Sequence, residues 1–148
     1  MLGIVVERIQ NDPVNYIMFR ELNKLADKVP CFVFTNGTVN LPMENKFTIL
    51  QHVDAMSHKG TLIGTNLLTS QIVAKSMMPK KKFVYLWDLD WSRLSNFNAN
   101  QLNNIYLNDD IEVITRSKKH QEVFSKMFRK TDKIIYNWRA EELLKVIQ

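Results

Sequence analysis

The chain is poor in residues that staple, break or bend a backbone: one cysteine, four glycines and four prolines in 148 residues. With a single thiol, no internal disulfide can form. Cys31 sits in the apolar run Cys31-Phe32-Val33-Phe34, which predicts a buried, reduced side chain and an expected cytoplasmic location. No apolar stretch approaches the roughly 20 residues that span a bilayer. The opening Met1-Leu2-Gly3-Ile4-Val5-Val6-Glu7-Arg8 has no basic region followed by a long apolar one, so neither export nor membrane insertion is expected. Glycine-rich phosphate loops are also missing. The first strand-to-helix turn, Glu7-Arg8-Ile9-Gln10-Asn11-Asp12-Pro13, contains no glycine, which disfavours an ordinary dinucleotide-binding domain or a P-loop. The three histidines have no cysteine or second histidine at ligand spacing, which argues against a zinc site. No G-x-S-x-G elbow exists, and Cys31 lies inside a strand, so acyl transfer through a nucleophile has no candidate.

What is present is sufficient for a core. Apolar residues make up 45% of the chain and charged residues 24%. A chain of this size buries roughly 70% of the surface its unfolded form exposes, so residues 1–148 are expected to form one domain. Lysine and arginine exceed aspartate and glutamate by 20 to 15, a net charge of +5. That mild excess permits an anionic partner. A nucleic-acid surface would have to draw on Lys80, Lys81, Lys82, Lys118, Lys119, Arg129 and Lys130, which are spread over several elements and interleaved with acids. Nucleic acid is therefore the least favoured partner, and Lys80-Lys81-Lys82 reads as a solvated turn.

Short β-branched and aromatic runs alternate with helical patterns, the signature of an α/β domain with a mostly parallel sheet. Strands are predicted at 3–8, 31–35, 47–51, 61–64, 82–87, 112–115 and 133–136. The runs Phe83-Val84-Tyr85-Leu86-Trp87 and Ile134-Ile135-Tyr136 are apolar throughout, as expected of strands covered on both faces. The first helix has Asp12 as cap and Pro13 in its first turn, carries Val14, Ile17, Met18, Leu22 and Leu25 at helical spacing, and should reach about Lys28. A second is expected over 67–77, with Leu68, Ile72 and Met77 on its apolar face. The polar stretch from Ser95 to Asn104 reads as a loop leading into a short helix that ends near Leu107. A further helix over 118–129 is capped by Ser117 and turns Val123, Phe124, Met127 and Phe128 inward, and the last covers 139–147.

In an open parallel sheet the carboxyl ends of the strands share one rim, so residues just after each strand converge there. These are Asn11 and Asp12, Asn36 and Gly37, His52, Asn66, Asp88 and Asp90, Arg116 and Ser117, and Asn137 and Trp138. Asp88-Leu89-Asp90 is the sharpest local feature, because alternate carboxylates at a strand end can share a divalent cation. Asp caps at turns are the competing explanation. Trp87 and Trp91 would offer flat faces to a sugar or base. His52 is a candidate general base if the local turn brings Asp54 to orient it, whereas His58 and His120 read as surface residues. Arg116 and Ser117, at a helix start, are the candidate anion contact, and a plain helix cap with Arg116 in solvent is the competing and favoured explanation.

The succession Thr61-Leu62-Ile63-Gly64-Thr65-Asn66-Leu67-Leu68, then Lys82-Phe83-Val84-Tyr85-Leu86-Trp87-Asp88, then Ile111-Glu112-Val113-Ile114-Thr115-Arg116-Ser117, then Lys133-Ile134-Ile135-Tyr136-Asn137-Trp138 resembles the N-terminal half of GT-B glycosyltransferases. The order and spacing of these segments, from Gly3 to Gln148, carry the likeness. It implies a Rossmann-like three-layer sandwich that binds a sugar acceptor, with Asn66, Asp88, Ser117 and Asn137 facing a cleft toward a donor-binding half. Asp88 and His52 are then the candidate catalytic residues, Asn66, Arg116, Ser117 and Asn137 the ligand contacts, and Asp88 with Asp90 the candidate site for a divalent cation. The nucleotide-sugar half is not within these residues, so a donor-binding partner chain or a homodimer is expected. GT-A glycosyltransferases use a D-x-D motif, but only 58 residues follow Asp90 here, too few for the acceptor portion such enzymes carry. The competing reading is a Rossmann-like module without catalysis that binds a nucleotide or another protein.

Overall fold

The computed structural model describes residues 1–92 and 98–148. Its sheet is wholly parallel, with seven strands in the order β3-β2-β1-β4-β5-β6-β7. The strands are β1 (Leu2–Val5), β2 (Cys31–Phe34), β3 (Thr48–Leu50), β4 (Thr61–Gly64), β5 (Lys81–Leu86), β6 (Glu112–Thr115) and β7 (Lys133–Ile134). The helices are α1 (Pro13–Ala26), α2 (His52–Ala55), α3 (Leu67–Lys75), α4 (Ala99–Tyr106), α5 (Lys118–Met127) and α6 (Ala140–Ile147). This is a Rossmann-like α/β sandwich in a single domain, as the alternation of runs predicts.

Side chains alternate across each strand, so two separate cores form. Leu2, Ile4, Val33, Ile63, Phe83, Tyr85 and Ile114 face α1 and α6, meeting Phe19, Leu22, Leu25 and Leu143. Val84, Leu86 and Val113 face the other way and pack with Ile105 of α4 and Phe124 of α5. Val5, Phe34 and Leu62 complete that second face with Ala55 of α2 and Val73 of α3. Gly3 in β1 is required by this packing, because a Cβ there would stand 2.7 Å from the Phe34 ring and 2.9 Å from Leu62.

Helix starts follow their caps. Asp12 accepts from the Asn15 N–H at 2.8 Å, Asn66 from Thr69 at 2.8 Å, and Asn98 from Gln101 at 2.9 Å. No side chain caps α6 locally. Glu21 of α1 does so from a distance, accepting from the Ala140 N–H at 3.2 Å while Lys24 Nζ lies 2.8 Å and Arg20 Nε 3.1 Å from its other oxygen. A carboxylate beside the amino end of a helix also suits the helix dipole.

Several expectations need correction. Helix α1 stops at Ala26, before Lys28, and Val14 is exposed. Leu68 and Met127 point outward, and Met77 lies beyond the end of α3 with 87% of its surface exposed. β7 is an edge strand of two residues whose Ile134 is exposed, as is Tyr136 after it, so the apolar run there is not covered on both faces. β5 begins at Lys81, one residue before the predicted start at Lys82, so Lys81 lies in the strand rather than in a turn. His58 is buried against the rings of Phe32 and Phe34, with Nε2 3.1 Å from the Thr61 carbonyl. Burial holds its imidazole below the ordinary value. The four-residue α2 begins at His52, where a strand end alone was expected. Of the expected loop, Ser95, Asn96 and Phe97 lie outside the described residues.

Two measurements check this packing. Burial would raise the Glu21 pKa, but the hydrogen bonds from Lys24, Ala140 and Arg20 outweigh it and hold the carboxyl below its ordinary value. Its stabilising contribution is therefore complete above about pH 4.3 and is lost as pH falls from there through the native value. Glu21→Gln should cost about 1 kcal/mol in urea denaturation at pH 7 and nothing at pH 2. Burial also pushes the Cys31 thiol up to about 11. At pH 8 it should react with a disulfide reagent only as fast as the chain opens, with urea accelerating the reaction.

Candidate functional site

Helix α1 leaves β1 toward one face of the sheet and α3 leaves β4 toward the other, so the tips of these adjacent strands diverge. This reversal is where doubly wound sheets place their ligands. A crevice of about 290 Å³ opens there, lined by Glu7, Arg8, Asp12, Asn15, Thr65, Asn66, Trp87, Asp88, Asp90 and Trp138 among others. Its volume lies near the lower end for small-molecule sites.

Side-chain hydrogen bonds fix the crevice walls. Thr65 Oγ1 donates to the Val5 carbonyl at 2.9 Å, tying the tip of β4 to β1. Asn66 caps α3 through its oxygen and donates through Nδ2 to Glu7 Oε2 at 3.2 Å. On the opposite side Thr35 Oγ1 donates to the Glu7 carbonyl at 3.1 Å. Gly37 allows this approach, since a Cβ there would sit 2.3 Å from that same carbonyl oxygen. Asp12 is engaged with the backbone and side-chain amides of Asn15, and Asp88 Oδ1 accepts from the Leu89 N–H at 2.8 Å. The lining thus carries four carboxylates and one guanidinium.

The apolar side of the crevice is aromatic. Trp87 carries the Arg116 guanidinium 4.7 Å from its ring centroid. Trp138 stacks on Tyr85 with centroids 3.9 Å apart and planes at 22°. The Tyr85 hydroxyl donates to the Ile135 carbonyl at 2.6 Å and accepts from the Trp138 N–H at 3.4 Å. Asn137 and Trp138 have φ of 48° and 61°, a left-handed pair that carries the chain from β7 into α6. The Trp138 indole N–H is buried with no acceptor among the described residues.

The rim residues separate into neighbourhoods. Asn66, Asp88 and Asp90 line the crevice. Arg116 reaches its edge through Trp87. Ser117 caps α5, and its Oγ lies 2.7 Å from His120 Nδ1. His120 is half-buried; burial and Arg116 hold its imidazole down against the opposing pull of Asp88. Asn137 borders a different hollow, with Glu21, Tyr136 and Glu142. Asn36 and Gly37 border a third, between β2 and β3. His52 is on the β2 side, where its N–H donates to Asn36 Oδ1 and its Nε2 lies 2.8 Å from the Val6 carbonyl. Asp54 accepts from the Gln51 N–H and so serves the start of α2. Trp91 packs away from the crevice against Tyr106, Phe124 and Phe128. No group of three or more His, Cys, Asp or Glu among the described residues is arranged to hold a metal ion. Asp88 and Asp90 are the pair from which a cation site would have to be built.

Glu7, Arg8 and Thr65 were not anticipated in the lining. Glu7 and Arg8 fall within the strand predicted at 3–8, but they are the first charged residues after the buried run Leu2–Val5 and Val6, and that change marks the strand end. His120 stands three residues after its capping serine, a spacing that turns the imidazole back toward the rim.

Comparison with known protein families, curated proteins and solved structures gives no significant match. The class of this protein therefore rests on strand order and rim chemistry: a Rossmann-like domain with an acidic, tryptophan-walled crevice at its switch point.

Tyr85→Phe tests how the aromatic wall is held. It removes the hydroxyl between Ile135 and Trp138 and leaves buried backbone groups short of a partner, at a cost of about 1–3 kcal/mol. Urea denaturation followed by tryptophan fluorescence should show that loss. A red-shifted native spectrum would report a looser Trp138.

Proposed function

We propose that the chain binds the sugar acceptor of a glycosyl transfer in the crevice between β1 and β4, and that the nucleotide-sugar donor is held by a half outside these residues. The observation that carries this reading is the chemistry of the lining, where four carboxylates and the Asn66 amide stand beside the Trp87 ring. Such a lining disfavours a bare diphosphate, which would meet Glu7, Asp12, Asp88 and Asp90 at once. A neutral polyol suits it. Its hydroxyls donate to carboxylates and exchange hydrogen bonds with the Asn66 amide, while the C–H face of the ring lies on an indole. The resemblance to GT-B acceptor halves in segment order points the same way.

In this scheme Asp88 takes the proton of the acceptor hydroxyl as its oxygen bonds to the anomeric carbon, and the nucleoside diphosphate leaves with the electron pair of the broken bond. Asn66 and Glu7, held by their mutual hydrogen bond, orient the acceptor. Trp87, with Arg116 on its outer face, supplies the stacking surface. His52 lies outside the lining and has no part in binding.

The test is a calorimetric and thermal-shift screen of mono- and oligosaccharides, with nucleotides and divalent cations run in parallel. A sugar should stabilise the chain, and Trp87→Ala or Asp88→Asn should weaken its binding at least about tenfold, or 1.4 kcal/mol. His52→Ala should leave it unchanged. Stabilisation by a nucleoside diphosphate with a divalent cation, and by no sugar, would replace this reading with a nucleotide-binding module.

A further inference from the structure

The opposite end of the sheet has a different chemistry. β1, β4 and β5 are adjacent and begin in register, Leu2 beside Thr61 and Thr61 beside Lys81, so the residues just before them share one surface. The Thr61 N–H donates to the Met1 carbonyl at 3.1 Å and the Lys80 N–H to the Gly60 carbonyl at 3.0 Å. Helix α3 runs back to this end and finishes at Lys75, and the Ser76 hydroxyl that follows touches Met56 Sδ at 3.4 Å. Four methionines, Met1, Met56, Met77 and Met78, are thus gathered here, all exposed, with Met77 at 87%.

Lysines surround them. Lys59, Lys75, Lys80 and Lys81 are exposed. Lys81 and Lys82 touch the carbonyls of Val146 and Ala74 at helix carboxyl ends, and none of these five lysines is ion-paired among the described residues. The acids of this end are Asp27 after α1, Asp109, Asp110 and Glu112 at the start of β6, and Asp132 before β7; Lys46, Arg129, Lys133 and Lys130 pair with Asp27, Asp109, Glu112 and Asp132.

We propose that this end is a docking surface for an anionic lipid bilayer, with Met77 and Met78 entering the interface and the lysines meeting the headgroups. Three features favour a bilayer over a macromolecular partner. Met77 and Met78 sit on a bend rather than in a groove, and none of the four methionines lines a cavity between elements. Every cationic side chain of the patch among the described residues is a lysine, a point charge suited to a diffuse anionic surface rather than a ring or guanidinium that stacks on bases. Unbranched methionine and the lysine stems both reach into the headgroup region while the ammonium groups stay in water. Because the strands are parallel, docking here turns the β1–β4 crevice away from the membrane. The surface is independent of what that crevice binds.

Sedimentation of the full chain with vesicles tests the proposal, using about 40% phosphatidylserine against pure phosphatidylcholine at roughly 50 and 300 mM salt. Binding is expected on the anionic vesicles alone, weakening severalfold at the higher salt. Lys80→Ala should cost about fivefold, the share of one lysine at such a surface. Met77→Ser/Met78→Ser leaves the charge intact and should also weaken binding at least about fivefold, with thermal unfolding unchanged because both side chains are exposed. No binding to anionic vesicles at low salt would overturn the proposal. So would unaltered binding of the serine variant, or retention by duplex DNA of a chain that ignores vesicles.

Discussion

β1 pairs with β2 on one side and β4 on the other, Leu2 standing opposite both Cys31 and Thr61. Both faces of β1 are covered, and at Gly3 the missing side chain leaves the room that Phe34, Leu62 and His58 occupy. The chain leaves β1 toward the layer of α1 and β4 toward the layer of α3. The crevice follows from that divergence, and the Thr65 and Asn66 hydrogen bonds across it keep its two lips in register. A Cβ at residue 3 would therefore disturb the site as well as the core, although it lies at the other end of the strand from Glu7.

Strand positions were legible in the sequence because the sheet is buried on both faces, which leaves short apolar runs that only a parallel sheet explains. All seven runs became strands, and the helices with a side-chain cap, Asp12, Asn66 and Ser117, began where the cap stands. Strand ends were harder to read. Val6 extends the ladder past β1 by donating to the Phe34 carbonyl, while Glu7 and Arg8, the first charged residues after the apolar run, turn into the rim. Side-chain direction near the edge was also hidden. Ile134, Tyr136 and Met127 read as core residues because they are apolar, yet β7 is the last strand and nothing described packs beyond it. The burial of His58 depends on two phenylalanines from β2, a long-range contact that no local pattern encodes.

The molecule is electrically polar along its strands. Carboxylates collect at the carboxyl ends of β1 and β5, on either side of the tip of β4, and lysines collect where β4 and β5 begin. A mild net charge of +5 conceals this, because the two populations nearly cancel in the sum while standing at opposite ends of the sheet. Lysines near the carboxyl ends of α3 and α6 complement the helix dipoles there, so part of the segregation stabilises the fold whatever binds. The acids have no equivalent role as a set: Asp12 caps α1 and Asp88 caps a turn, but Glu7 is held by the Asn66 side chain alone among its described side-chain contacts, an arrangement that orients a carboxylate into the crevice without serving any helix.

The strained pair after β7 bears on the same question. A left-handed tryptophan is costly, of the order of 1–2 kcal/mol, and asparagine bears that conformation more easily than most residues. An ordinary extended connection would have avoided the cost. What it secures is the stacking of Trp138 on Tyr85 and the start of α6 at Ala140, where Glu21 meets the helix. Core packing alone explains the stack, since Trp138 is almost wholly buried. It does not explain why the ring also borders the crevice with its indole N–H lacking a protein acceptor among the described residues. The left-handed backbone and the buried Tyr85 hydroxyl together hold Trp138 at the crevice wall, so the strain is spent on a fixed position for that ring.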